Sequence, residues 1–219
     1  IMFVTARIED PELRAESLLD AMRRMGQPDQ ETLLPTVGRI GGLEARRLIE
    51  AVIAAPEPLH GLGLRSLCNW PNASIAPRLL QLAESDPHAD HQIAALRAVI
   101  RIAPLKDDRT NLERLNLLQQ AMELCTRDSE RTLVLDRAKA IRILETLHFV
   151  APYMDEAAFS EQACRTVIEL GHDRTLRTPN KSAFDVALEK VKATAEDPVL
   201  IERAQRYIED KTWVQPLEE

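Results

Sequence analysis

Apolar residues recur along this chain at the three-and-four spacing of amphipathic helices. Ala15, Leu18, Leu19, Met22 and Met25 fall on one helical face, behind the start signal Asp10-Pro11 and ahead of Gly26. Further helices are predicted at about 29–40, ended by Gly41-Gly42, then 43–55, 59–70 and 74–85. Asp86-Pro87 turns the chain into 88–103, and a loop from Pro104 to Asp108 leads to 109–126 and 129–141. The pattern continues at 144–154, 156–171, 180–195 and 198–211, the last two separated by Asp197-Pro198. No segment alternates with the period of a strand.

These twelve helices form six pairs starting near residues 11, 43, 74, 109, 144 and 180, at steps of 32, 31, 35, 35 and 36. A near-constant step of one helical hairpin is the signature of an α-solenoid. The outer helices support a linear stack. Leu200, Ile201, Ala204, Tyr207 and Ile208 line one side of the last helix, and Glu202, Arg203, Gln205, Arg206 and Glu209 the other. In the middle, Ile93 to Ile100 is apolar almost all round except at Arg97. The expected fold is all-α: one solenoid domain over 1–219 of about six stacked antiparallel pairs, with repeats in 11–171 and a divergent capping pair in 172–219. A division near Pro104 to Asp108 is the alternative, against which the period runs on across the loop.

Three stretches resemble HEAT repeats, in particular the short bacterial type named after the phycobilisome-lyase HEAT-like repeats. They are Leu43 to Pro71, Ile75 to Ala103 and Phe149 to Gly171. Each has a Leu/Ala-rich first helix, a short turn and a second helix of the Ala-Leu-Arg-Ala type. The turn near Ile141 to Leu144 lacks Gly and Pro, and the pair at about 109–141 is long and charged. The resemblance implies an armadillo-like scaffold that binds a protein or peptide. It carries over no catalytic residues. Enzymes on this scaffold, phycobilin lyase-like or DNA glycosylase-like, are the alternative, with a nucleic-acid-binding scaffold behind them.

Composition narrows the choice. The net charge is −7, from 28 basic and 35 acidic residues, which disfavours a general nucleic-acid binder. Aromatic residues make up only 4% and Gly only 7 positions, against a sandwich or barrel. No apolar run is long enough to span a membrane, and no signal peptide is visible. The opening Ile1-Met2-Phe3 is unlike a natural start, so a segment of a longer protein is expected.

The candidate chemistry is sparse. Cys68, Cys125 and Cys164 are far apart, odd in number and set among apolar residues, so buried thiols are expected rather than a disulfide or a nucleophile. His88, Asp90 and His91 form the one local His/carboxylate cluster, but no further ligand follows at a recognised spacing, and no metal or other cofactor is expected. Gly61-Leu62-Gly63 lacks the strand of a nucleotide loop and is read as a close helix–helix approach. Asn72-Ala73-Ser74 and Asn180-Lys181-Ser182 match glycosylation triplets, but Ser74 and Asn180 are expected to cap helices. Arg65, Arg97 and Arg165 occupy matching places in second helices, at steps of 32 and 68. They are expected to form either an inter-repeat ion-pair ladder or a partner-binding row. The ladder is the favoured outcome, because Arg97 stands among Leu96, Ala98, Val99 and Ile100.

Overall fold

The computed structural model describes residues 10–214, and among them it is helical with no strand. The helices are α1 (Pro11–Met22), α2 (Gln27–Ile40), α3 (Leu43–Ile53), α4 (Leu59–Leu67), α5 (Ala76–Ser85) and α6 (Ala89–Ile102). There follow α7 (Asn111–Glu123), α8 (Asp128–Ala138), α9 (Leu144–Val150), α10 (Ser160–His172), α11 (Lys181–Thr194) and α12 (Pro198–Ile208). One-turn and 3-10 pieces fill Ala73–Ile75, Ala151–Asp155, Arg174–Arg177 and Thr178–Asn180. The start Ile1-Met2-Phe3 lies outside the described residues. The helices gather into two compact units, divided between Leu105 and Lys106, within the Pro104 to Asp108 loop.

Local chemistry sets the helix ends. Asp10 accepts the Glu12 N–H at 2.8 Å and Asp197 accepts the Val199 N–H at 2.9 Å, each followed by a first-turn proline. Thr110 and Glu113 form a reciprocal capping box at α7. Gly41 and Gly42 take φ of 77° and 97°, a left-handed stretch that folds α3 back on α2. Two expected caps differ. Asn72, not Ser74, accepts a backbone N–H at the 73–75 turn, because the Ser74 hydroxyl accepts the Trp70 indole N–H at 3.1 Å. Asn180 donates to the Leu176 carbonyl at 2.8 Å and leaves the start of α11 uncapped.

In the first unit the pairs are α1/α2, α3/α4 and α5/α6. First helices meet first helices (α1 on α3), and second meet second (α2 on α4, α4 on α6). Glycine permits the closest approach: a Cβ on Gly38 of α2 would lie 1.9 Å from the Ser66 carbonyl oxygen of α4. A Cβ on Gly63 would lie 2.8 Å from the Ile53 nitrogen, so this glycine does serve helix–helix contact. Polar clasps join neighbouring pairs. Glu12 accepts the Leu43 N–H at 2.9 Å, Arg78 pairs with Glu50 at 3.1 Å, and Arg101 donates to the Cys68 and Trp70 carbonyls at the end of α4.

The second unit repeats the second-helix part of this scheme. Its second helices α8, α10 and α12 pack in sequence, and α11 lies against the 151–155 turn. Thr166 of α10 is buried and donates to the Leu135 carbonyl of α8 at 2.9 Å, and Glu161 accepts the Glu196 N–H at 3.0 Å. Arg177, only 2% exposed, donates to the Gly171 carbonyl and stacks 4.8 Å from the Tyr207 ring centre.

Candidate functional sites

Arg65, Arg97 and Arg165 share one register. Each is exposed and stands between two buried residues: Leu64 and Ser66, Leu96 and Ala98, Cys164 and Thr166. Arg97 therefore projects from the narrow polar side of α6, contrary to the burial expected from its apolar neighbours. Arg165 is tied to Asp197 of the next pair at 3.1 Å and to Glu161 at 3.5 Å. Arg65 makes no ion pair among the described residues.

The three thiols are held away from reaction. Burial pushes Cys68 up to about 12 and Cys125 and Cys164 up to about 11. None is in a disulfide.

The densest polar constellation lies in the first unit, at the turns between α3 and α4 and between α5 and α6. The α5–α6 turn is organised by Asp86, whose side chain is fully buried. Its carboxylate accepts the His88 backbone N–H at 3.0 Å, completing the tight Asp86-Pro87 turn, and lies 2.8 Å from His60 Nε2 and 3.2 Å from His91 Nδ1. Burial pushes the Asp86 carboxyl up, but the bonds from His88 and His60 outweigh it and hold it below the usual range. His60 sits at the start of α4, with Nδ1 2.7 Å from the Ile53 carbonyl. Both its ring nitrogens thus face acceptors, and the hydrogen bond to Asp86 raises its pKa.

Around this pair the rings of His60, His88 and His91 crowd together, with centres 4.9–6.3 Å apart. Three of the chain's five histidines therefore meet in one place. Glu57, from the α3–α4 turn, completes the group: its Oε1 is 3.9 Å from His88 Nδ1 and 3.8 Å from His91 Nδ1. One ligand atom from each of Glu57, His60, His88 and His91 lies within 4.8 Å of the others.

His88 and His91 stand three residues apart in sequence, whereas Glu57 and His60 come from the preceding helix pair, outside any local ligand spacing. Asp90, expected in the cluster from its place between the two histidines, is exposed and outside the group, and Asp86 takes the organising place. A signal was available. Glu57 and His88 are 31 residues apart, as are His60 and His91, and 31 is the step between the second and third pairs. Residues one helix pair apart come to neighbouring positions where successive pairs pack.

The second unit carries an open apolar groove of 810 Å³ lined by Leu147, Ala151, Pro152, Ala183 and Val186, among others. Its Lys190 is already engaged by Asp155 at 2.5 Å. No helix among the described residues is long and apolar enough to cross a membrane. Comparison of the chain with family models, curated proteins and solved structures found no match.

Proposed function

We propose that the chain is a non-enzymatic HEAT-like scaffold, in which each unit is a short run of α-solenoid that displays its second helices to an extended, carboxylate-bearing peptide. The observation that carries this reading is the shared register of Arg65 and Arg97, exposed at matching places on the consecutive second helices α4 and α6. The packing order supports it, since second helices meet second helices in both units. So does the recurring small residue after each arginine: Ser66, Ala98 and Thr166 are all buried. A row of guanidinium groups at one-repeat spacing suits carboxylates along an extended chain, because each presents a planar fork of donors. The masked nucleophilicity of the three thiols favours binding over cysteine catalysis.

Fluorescence anisotropy with a labelled glutamate-rich peptide tests the proposal. Binding to the native protein, weakened at least ~10-fold in Arg65→Glu/Arg97→Glu, is expected, since each lost charged contact is worth on the order of 1.5–3 kcal/mol. No binding, or binding indifferent to the double charge reversal while circular dichroism is unchanged, overturns it.

A further inference from the structure

We propose that Glu57, His60, His88 and His91 form a transition-metal site, of zinc type, that clasps the α3/α4 pair to the α5/α6 pair. The arrangement of the ligand atoms carries the inference. The Glu57 carboxylate stands 3.8–3.9 Å from two imidazole nitrogens, too far to bond to either and too close for apolar filling. The four groups do not bond one another; His60 and His91 are held by Asp86, His60 also by the Ile53 carbonyl and Glu57 by the Gly61 N–H, so a bound ion takes the place of some of these bonds. With metal–nitrogen and metal–oxygen bonds of ~2.0–2.2 Å, tetrahedral ligands sit ~3.3–3.5 Å apart, so drawing the four side chains inward by about 1 Å completes the shell.

The donor set selects the ion class. Three imidazoles and one carboxylate suit zinc and its first-row neighbours, whereas calcium and magnesium require shells of oxygen. Charge also balances: Glu57 and Asp86 bring two negative charges, matching one dication bound by neutral histidines. The fully buried Asp86 bonds His60 Nε2 and His91 Nδ1, so on metal binding His91 ligates through Nε2 and His60 exchanges its Ile53 carbonyl contact for the ion, with Asp86 orienting both rings.

A second, independent observation is the space kept open beside the group. Gly61 lies on α4 one turn from Glu57, and a Cβ there would stand 2.9 Å from His91 Nε2 and 3.2 Å from both Glu57 Oε2 and Arg65 Nη1. The missing side chain is what lets the α6 histidine reach across to the α3–α4 turn. This gives Gly61 a role distinct from Gly63, which meets α3 backbone.

Two of the ligands keep water access: the His88 and Glu57 side chains are 52% and 44% exposed, those of His60 and His91 only 18% and 14%. The ion therefore enters from the turn side, and its coordination fixes two turns that otherwise meet through His60 and Asp86. Binding to the folded arrangement alone adds its free energy to stability.

The test uses tag-free full chain, stripped with chelator and titrated with zinc by calorimetry, and with cobalt by visible absorption. One zinc per chain, an intense tetrahedral-type cobalt spectrum, and a rise in Tm with zinc followed through Trp70 are expected. His88→Ala and Glu57→Gln alter exposed side chains and leave the helices intact. Each should weaken zinc by more than the ~10-fold at which loss of an outer-shell partner begins. Gly61→Ala should weaken it as well, and His148→Ala, in the second unit, should leave it unchanged. Absence of stoichiometric zinc, or binding retained in His88→Ala/His91→Ala, overturns the site. Loss in the histidine variants with none in Glu57→Gln overturns the place given to Glu57.

Discussion

Arg177 provides the sharpest test of how the second unit is held together. Among the described residues it heads the fully buried side chains in size, is 2% exposed and makes no ion pair. Its favourable contacts are the charged hydrogen bond to the Gly171 carbonyl and the stacking on Tyr207 at 4.8 Å. These contribute about 1.5–3 kcal/mol and about 2 kcal/mol in a desolvated site. Against them, burial depresses its pKa, and its Nε hydrogen has no partner. An unsatisfied buried donor costs about 1–3 kcal/mol. The polar contributions therefore nearly cancel, and what remains is the volume the side chain fills. Arg177→Met keeps most of that volume, abandons the charge and orphans one carbonyl, so a loss of about 1 kcal/mol is expected. Arg177→Ala adds a cavity beside Tyr207, for a total of about 3–5 kcal/mol. Urea unfolding measures the difference, with Trp213 fluorescence as the local probe because its ring lies 4.8 Å from the Arg203 guanidinium. Equal losses in the two variants, within ~0.5 kcal/mol, would refute the volume argument and make the charge the dominant quantity.

Gly38→Ala normally gains helix propensity of about 1 kcal/mol, but here the new methyl meets the Ser66 carbonyl, so a net loss of ~3 kcal/mol or more is expected in thermal unfolding; a stabilised variant would show that α2 and α4 are not in contact there. Arg97→Ala is expected to cost at most ~1 kcal/mol, because interactions made by an exposed side chain contribute little; a loss well above that would support the ladder reading. The Asp173 carboxyl is held below its usual range, first by the Thr175 hydroxyl and then by backbone N–H groups. Its stabilisation is therefore present above the unfolded carboxyl range and lost as pH falls through the depressed folded value. Asp173→Asn should flatten acid unfolding in that window, and an unchanged acid limb would contradict the cap. Native protein should react slowly with iodoacetamide at pH 8, with denaturant releasing all three thiols; a thiol that reacts at the free rate would expose an error in the burial of that helix.

Helix identity in this chain is local chemistry. Asp10-Pro11, Asp197-Pro198 and Gly41-Gly42 mark ends through groups within a few residues of one another, so the sequence places α1, α3 and α12 at or near their observed starts. The shift of a cap from Ser74 to Asn72 shows the limit even there: the hydroxyl was claimed by Trp70, a competitor that only the folded turn brings near. Apolar periodicity likewise predicts which face of each helix is buried. It could not tell that Arg97 escapes from an almost wholly apolar α6, because the width of the wet strip depends on how α4 and α6 meet. The burial of Arg177 was also out of reach, since a lone arginine before Thr178-Pro179 has the same local signature whether solvated or enclosed by Tyr207. The histidine group lies between these cases. Its half at the start of α6, His88 and His91, is visible at a spacing of three residues. Its other half is a full helix pair away, and only the packing of one pair on the next turns a separation of 31 residues in sequence into a few ångströms in space.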